Sequence, residues 1–290
     1  MLIKLLKKQV LNSFYLLYKI NKRLAKYYLI LMLKLRRQIR NKSFFEDVTE
    51  ANLIKLFFEK IDQKHGVVLD IGASTGSFFE NYLLKNESWK IYAFEPDPNP
   101  MKQEALEYFK SKFDVTVIQK ACSNKSGEDI PFFTSPVSTG ISSLTPFDST
   151  HQPAGFVQTI TLIDFINSSK LGFVDLLKID TEGHDLFVLK GFPWDRIKPK
   201  VIMCEFENKK TISLGYTFQD LGVYLLKKGY KVFVSEWYPV EEYGPVHQWR
   251  TLKEFPTVLD DDSATGNFIC FDKTIEQDDY FAQLLITTVC

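Results

Sequence analysis

The chain has 290 residues with a formal net charge of zero at pH 7, and 45% of its residues are hydrophobic. This composition is that of a globular protein with a sizeable core, organised as one large domain or two small ones. Four scattered cysteines form no close pair, which argues against a disulfide framework or a zinc site: Cys122, Cys204, Cys270 and Cys290. We therefore expect a protein of the reducing cytoplasm.

The first 45 residues differ from the rest in charge. They contain twelve Lys or Arg but no Asp or Glu. Residues 46–290 therefore contain the other 24 basic residues and all 36 acidic residues. Apolar residues recur here at steps of three, four or seven, which places them on one helical face: Val10, Phe14, Leu17, Leu24, Tyr28, Leu31 and Leu35. We predict a basic amphipathic helical extension over 1–45, called the arm below, and a separate domain over 46–290.

The arm is not typical of a membrane span or a signal peptide. No uncharged apolar run approaches the roughly 20 residues that a bilayer requires, and Lys19 interrupts the apolar stretch. The arm could pack on its own domain or on a partner protein, lie on an anionic membrane surface, or bind nucleic acid. Nucleic acid is the least favoured because no base-reading motif accompanies the charge. The other two roles stay open, and with them a peripheral membrane location.

From residue 66 onward, short apolar runs alternate with amphipathic stretches. The runs predict strands over Val67–Gly72, Lys90–Pro96, Val115–Ala121, Val174–Asp180, Val201–Glu207 and Lys231–Trp237. The stretches between them predict helices over Ser77–Lys85, Asn99–Lys112 and Phe218–Lys228. This alternation indicates a Rossmann-like α/β fold, a mainly parallel sheet with helices on both faces. Residues 122–160 are rich in Gly, Pro and Ser, and we interpret them as an inserted loop segment with a short hairpin.

A glycine-containing loop follows the first predicted strand. The run Asp70–Gly76 matches acid-x-Gly-x-Gly-x-Gly, the pattern of S-adenosylmethionine sites, with Ser74 at the middle glycine. A nicotinamide fingerprint would need glycines at Ser74 and Ser77, so a dinucleotide is disfavoured. Glu95, at the tip of the next strand, can accept both hydroxyls of a ribose, and Asp70 suits the ammonium of a methionine. The predicted cofactor contacts are Asp70, Gly72, Ala73, Ser74, Gly76, Glu95, Ala121 and Asp180.

A dense polar cluster follows the fourth predicted strand. Methyl transfer to a hydroxyl needs a positioned oxygen and a group that takes its proton. Asp180 is our first choice as base or orienting group, and His184 and Glu182 are the other candidates. His184 is equally explained as a surface residue in the first turn of a helix, and Glu182 as a charge favoured at a helix N-terminus. Together with Glu205, these carboxylates also match the oxygen ligands of Mg²⁺, which leaves a divalent cation as an open alternative.

Four runs together resemble the FkbM family of methyltransferases. They are Asp70–Gly76, Phe94-Glu95-Pro96, the long run Val174–Gly191 and Cys204-Glu205-Phe206, and the resemblance extends from Gly66 to Phe271. The family usually has Asn at the position of Ser74. The resemblance implies the class I methyltransferase form of the Rossmann-like fold, S-adenosylmethionine as cofactor, and O-methylation of a sugar or other natural-product hydroxyl. Ser142-Ser143-Leu144 resembles a short family element, and its serines could contact the cofactor or the acceptor, or belong to an ordinary polar loop. Ser142, Ser143 and Glu205 are the residues that we expect to face the acceptor.

The function expected from the sequence is an S-adenosylmethionine-dependent O-methyltransferase acting on a carbohydrate, a glycolipid or a similar natural product. Two alternatives are a non-catalytic recruitment module on the same fold and a nicotinamide-dependent oxidoreductase. The recruitment module would use the arm to bind its partner, whereas the oxidoreductase would bind NAD at the glycine loop.

Overall fold

The computed structural model describes residues 50–78, 89–240 and 248–275. The predicted arm lies outside these residues, as does most of the predicted helix Ser77–Lys85. In the described ranges, no helix is long and apolar enough to cross a membrane.

The strands and helices alternate through most of the chain. The strands are β1 (Gly66–Ile71), β2 (Trp89–Phe94), β3 (Val115–Ile118), β4 (Ala121–Cys122), β5 (Asp129–Thr134), β6 (Gln152–Ile160), β7 (Leu176–Ile179), β8 (Val201–Glu207), β9 (Tyr230–Trp237), β10 (Trp249–Glu254) and β11 (Thr265–Asp272). The helices are α1 (Ala51–Lys60), α2 (Pro100–Lys112), α3 (Leu162–Ser168), α4 (Asp185–Lys190), α5 (Asn208–Thr211) and α6 (Phe218–Lys227).

Eight strands form one sheet in the order β3-β2-β1-β7-β8-β11-β9-β10. The pairs β3–β2, β2–β1, β1–β7 and β7–β8 are parallel. β11 runs antiparallel between β8 and β9, and β10 closes the edge antiparallel to β9. β1, which contains Asp70, pairs directly with β7, which Asp180 follows. The two strands are therefore neighbours, as predicted.

Successive residues of a strand point to opposite faces of the sheet. Both faces of this sheet carry apolar side chains, and helices cover both. On one face, Leu69 and Leu177 pack with residues of α3, α4 and α6, such as Phe165, Leu189 and Leu225. On the other face, apolar side chains of α1 and α2 cover the strands: Leu53, Phe57, Leu106 and Phe109. This arrangement confirms the predicted Rossmann-like fold.

The segment between β3 and α3 forms a second, smaller sheet in the order β4-β6-β5. β5 and β6 are an antiparallel hairpin, and β6 also pairs in parallel with β4. A short 3₁₀ turn, Thr139–Ile141, lies in the connection between β5 and β6. We call residues 129–160 the hairpin segment.

Several elements escape the sequence analysis for physical reasons. α3 and α4 have seven and six residues, too few for a helical period to be recognised. β11 is an antiparallel strand with no helix immediately before it, so the βα alternation gives no reason to expect it at the centre of the sheet.

Candidate active site

A cavity of about 250 Å³ opens at the carboxyl ends of β1, β2 and β7. Ligands of open α/β sheets bind at this edge. The strand ends contribute Ile71, Gly72, Ser74, Phe94, Glu95, Pro96, Asp180, Thr181 and Glu182 to its wall. The rest of the lining comes from α2, the β3–β4 connection, β4 and the hairpin segment, with Lys102, Lys120, Ala121, Cys122, Phe132, Gly140, Ser142, Ser143 and Leu144.

Gly72 allows the loop after β1 to lie directly against the end of β7. Its φ is +75°, and a Cβ atom at this position would lie 1.8 Å from the backbone oxygen of Asp180. The backbone N–H groups of Gly72 and Ala73 both donate to the carbonyl oxygen of Phe94, at 2.9 and 3.0 Å. The loop is thus fixed between β2 and β7, and only glycine fits at its first turn.

Glu95 ties this loop to the segment that follows β2. Its carboxylate is 4% exposed and accepts from the backbone N–H of Ser74 at 2.7 Å and from that of Asp97 at 2.9 Å. Burial raises the pKa of Glu95, while the Lys102 ammonium and the two amides oppose the change. Each carboxylate oxygen retains a second lone pair. Glu95 can therefore accept further hydrogen bonds from a ligand in the cavity.

Asp70 does not line the cavity but lies beneath the loop, where it pairs with Lys178. The side chain of Asp70 is fully buried, and Nζ of Lys178 lies 3.1 Å from Oδ1 of Asp70. The same ammonium donates to the backbone oxygen of Gly72 at 2.8 Å and lies 3.4 Å from Asp180. Burial lowers the pKa of Lys178, but Asp70 and Asp180 outweigh burial and raise it. Asp70 thus holds the loop through Lys178, a residue that the sequence analysis missed.

Asp180 and Glu182 face the cavity from the end of β7. The Asp180 side chain is 42% exposed, and Lys178 is 3.4 Å away. Glu182 has a φ of 56°, a left-handed conformation that is rare for a residue with a side chain. Its Oε2 lies 2.6 Å from Nζ of Lys210. Burial raises the pKa of Glu182 to about 7, although the Lys210 charge acts in the opposite direction.

Glu205 lies behind this wall, where Lys210 joins three glutamates. Nζ of Lys210 is 2.9 Å from Glu205 and 3.0 Å from Glu207, in addition to its contact with Glu182. Carboxylate oxygens of Asp180, Glu182 and Glu205 lie within 4.8 Å of one another, a spacing that could hold a metal ion. The Lys210 ammonium already supplies a positive charge to two of these three groups, so the arrangement gives no support to the divalent-cation alternative.

His184 is placed away from the cavity wall. Its ring stacks on Phe187 with centroids 4.6 Å apart, and its Nε2 is hydrogen-bonded to Oγ of Ser123 at 3.0 Å. Burial lowers the pKa of His184 from 6.5 to about 4. The imidazole is therefore neutral at physiological pH and engaged with Ser123, behind the residues that face the cavity.

The hairpin segment closes the cavity through its serines. Oγ of Ser142 donates to Oδ2 of Asp97 at 2.9 Å, whereas Oγ of Ser143 donates to the backbone oxygen of Thr145 at 2.6 Å. Asp97 also pairs with the buried Lys102 at 2.9 Å. Lys102 is another residue that the sequence analysis missed.

The structure thus brings together eight of the predicted site residues in the lining of one cavity: Gly72, Ser74, Glu95, Ala121, Ser142, Ser143, Asp180 and Glu182. The other predicted residues are not part of that lining: Asp70, Ala73, Gly76, His184 and Glu205. Three buried lysines, Lys102, Lys178 and Lys210, were not predicted because a sequence does not distinguish them from surface lysines.

The strand order and the cavity define a Rossmann-like protein of the class I methyltransferase form. Comparison with known families is more specific, because the model of the methyltransferase FkbM domain matches residues 70–232, more than half of the chain. The chain therefore belongs to the FkbM methyltransferase family, as its resemblance predicted.

Individual relatives are distant. The hexuronic acid methyltransferase AglP of Haloferax volcanii is 25% identical over 146 residues, which are 49% of this chain and 56% of that protein. The match thus spans little more than half the length of this curated relative. An FkbM methyltransferase from Methylobacillus flagellatus is 16% identical with a TM-score of 0.42, over 72% of this chain and 44% of that one. A precorrin-6y C5,15-methyltransferase from Geobacter metallireducens is 15% identical with a TM-score of 0.39, over 76% and 88% of the two chains.

Proposed function

We propose that this protein is an S-adenosylmethionine-dependent O-methyltransferase that methylates a hydroxyl group of a carbohydrate, a glycolipid or a similar natural product. One observation carries the proposal: the Gly72 loop and Glu95 share a single cavity with Asp180 and Glu182. This supports the proposal, because residues suited to binding a nucleoside lie beside a pair of carboxylates suited to orienting and deprotonating a hydroxyl.

The residues present fit S-adenosylmethionine. Pro96 and Leu144, two partly exposed apolar residues of the lining, offer a surface for a base, and Glu95 offers acceptors for ribose hydroxyls. Asp180 and Glu182 suit the positive charges of a methionine ammonium and a sulfonium. The same two carboxylates would repel a pyrophosphate, which disfavours the nicotinamide alternative.

The cofactor, when bound, supplies an electrophilic methyl group. The chain contributes the remaining requirements. Asp180, partly exposed beside Lys178, is placed to orient an acceptor hydroxyl, and Glu182 is placed to take its proton. The hairpin segment, linked to Asp97 through Ser142, reduces the access of water to this end of the sheet.

The name of the relative AglP supports a sugar acceptor and makes hexuronic acid glycosides the first compounds to test. A hexuronic acid can be methylated on a hydroxyl or on its carboxyl group. Incubation with radiolabelled S-adenosylmethionine, followed by mild alkali, separates the two products, because an ester releases its label and an ether does not. We expect an alkali-stable product, and an alkali-labile one would contradict hydroxyl methylation.

The cofactor is tested by calorimetric titration with S-adenosylhomocysteine, with NAD as the control ligand. We expect saturable binding of S-adenosylhomocysteine alone, and about tenfold or greater weakening in Glu95→Ala because hydrogen bonds to a charged group are lost. Glu107→Ala, a change at an exposed glutamate of α2, is the matched control and leaves binding unchanged. NAD binding alone would support the oxidoreductase, and no binding of either ligand would support the recruitment module.

We further propose a cytoplasmic protein that contacts a membrane surface through its arm, where glycolipid acceptors would be available. Three thiols in the part of the chain that the structure describes, Cys122, Cys204 and Cys270, are buried and free, which suits a reducing compartment. The twelve basic residues of the arm, without any acidic residue, favour an anionic surface. A partner protein remains the competing role for the arm.

A further inference from the structure

We propose that Lys210 is a positioning residue of the methyl transfer: its buried ammonium holds the Glu182 carboxylate at the cavity wall, where Glu182 takes the proton of the acceptor hydroxyl. The inference rests on the proposed function and names the group that serves as base. Glu182 takes this proton as the oxygen–methyl bond forms and the sulfur–methyl bond breaks, so the products are a methyl ether and neutral S-adenosylhomocysteine.

The first support is the geometry around the ammonium. Lys210 is 3% exposed, and its Nζ lies 2.6 Å from Oε2 of Glu182. The nitrogen also contacts Glu205 and Glu207 at 2.9 and 3.0 Å, so groups from two elements converge on it. A buried lysine is costly unless it is paired, and here the partners are the residue at the cavity and the end of β8.

The second support is the backbone of the segment that carries Glu182. This residue adopts a left-handed conformation with a φ of 56°, and Gly183 follows with a φ of +97°. A Cβ at Gly183 would lie 2.9 Å from Cβ of Lys210, so the segment packs closely on this lysine. The hydroxyl of Tyr216 donates to the carbonyl oxygen of Gly183 at 2.7 Å. An uncommon backbone conformation is thus held in place from the Lys210 side, as is frequent at functional sites.

The third support is the placement of Lys210 under the hairpin segment. The ammonium lies 5.3 Å from the ring centroid of Phe147, which belongs to that segment. The adjacent Lys209 reaches Asp148 of the same segment at 3.5 Å. Lys210 therefore connects the end of β8, the Glu182 loop and the segment that closes the cavity.

The charged groups around Glu182 determine how readily it gains and loses a proton. They come from the end of β7 and the start of α4, from the end of β8, and from α5: Asp180, Asp185, Glu205, Glu207 and Lys210. Lys178 belongs to the same group through its contact with Asp180. Lys210 stabilises the charged form of Glu182, whereas the neighbouring carboxylates oppose it. A base poised near neutral pH results, which is the condition for efficient proton transfer.

The test follows the carboxyl-carbon NMR signals of isotope-labelled glutamates in the full chain as pH varies, with Glu182 assigned from Glu182→Gln. We expect Lys210→Met to raise the pKa of Glu182 by about 1–3 pH units, because an opposite charge at this distance is lost. Lys210→Arg keeps the charge and should restore the pKa. Lys209→Met, at the neighbouring half-exposed lysine, is the matched control and should leave it unchanged.

A second variant keeps the test decisive if Lys210→Met does not fold. Glu207→Gln removes a negative charge that opposes ionisation of Glu182, so the pKa of Glu182 should fall. A purely structural role of Lys210 would leave the pKa of Glu182 unmoved in Lys210→Met or, where that variant does not fold, in Glu207→Gln. That result would overturn the inference even if S-adenosylhomocysteine binds, whereas failure of the wild type to bind S-adenosylhomocysteine would overturn the proposed function itself.

The same role can be tested kinetically, by measuring kcat and KM for methyl transfer to a 4-nitrophenyl hexuronoside as pH varies. In Lys210→Met, the acid limb of the kcat profile should move to higher pH in parallel with the NMR titration, with little change in KM. A fall in activity without a shift of the pH profile would contradict the assigned role.

Discussion

Gly72 and Gly127 separate the effect of backbone strain from that of close packing. Their φ values are nearly equal, +75° and +77°, but a Cβ at Gly72 would collide with the Asp180 backbone and a Cβ at Gly127 would meet nothing within 4 Å. A left-handed alanine costs about 1–2 kcal/mol at either position. Gly72→Ala must also move the loop away from β7, and overpacking of this kind costs about 1–3 kcal/mol more.

We therefore expect Gly72→Ala to lower the free energy of unfolding more than Gly127→Ala does, and to abolish S-adenosylhomocysteine binding. Urea unfolding and calorimetric titration measure the two effects. Equal losses in both variants, with binding retained, would show that the contact between the loop and β7 is unimportant.

His184 makes stability depend on pH in a specific direction. Because its pKa is lowered from 6.5 to about 4 on folding, the unfolded chain binds a proton in this range and the folded chain does not. The contribution of His184 is present above pH 6.5 and is lost as pH falls toward 4. The loss across this pH window is about 3 kcal/mol, from the free energy per pKa unit.

Replacement by glutamine should remove this dependence. We expect the difference in unfolding free energy between wild type and His184→Gln to change by about 3 kcal/mol across that window. Taking the difference cancels the contributions of the buried carboxyl groups that titrate nearby. His65→Gln, at an exposed position, is the control. A wild type and a His184 variant with the same pH slope would mean that the imidazole is accessible to water.

At the scale of elements, a side-chain hydrogen bond from Ser142 to Asp97 joins the hairpin segment to the loop that follows β2. Its loss should weaken S-adenosylhomocysteine binding about fivefold, since such a bond contributes about 1 kcal/mol. Ser138→Ala is a matched control, because Ser138 caps the same 3₁₀ turn through the N–H of Gly140. Calorimetry on Ser142→Ala and Ser138→Ala distinguishes closure of the cavity from stability of the turn, and equal effects would contradict the first.

The parallel part of the sheet was predictable from the sequence because each strand is a short apolar run that ends in a polar residue. β8 has the predicted bounds, Val201–Glu207, β9 begins one residue before its predicted start, and β1 is shifted by one residue at both ends. The same polar ends placed Glu95 and Asp180 at the site. Ion pairing was not predictable, since it depends on partners distant in sequence: Lys178 meets Asp70, 108 positions earlier in the chain, only because β1 and β7 pair. For the same reason the sequence suggests a cofactor contact for Asp70 but gives no sign of its ion pair with Lys178.

At the scale of the whole molecule, charge divides the chain into two parts of opposite sign. The arm carries twelve basic residues and no acidic ones, while residues 46–290 contain 24 basic and 36 acidic residues. An anionic surface therefore attracts the arm and repels the domain, and each basic residue near such a surface contributes about 1 kcal/mol. Binding to a membrane should depend on the arm alone.

We expect the full chain to co-sediment with vesicles that contain phosphatidylglycerol, and not with vesicles of phosphatidylcholine only. High salt should release much of the bound protein, because it screens the attraction between the basic arm and the lipid headgroups. A chain that begins at residue 46 should stay in the supernatant yet bind S-adenosylhomocysteine as the full chain does, because the described residues that line the cavity lie between positions 71 and 182. The alternative outcome is that the full chain does not bind anionic vesicles at any salt concentration but forms a dimer that the shortened chain does not form. The arm then binds protein, and the membrane proposal is wrong.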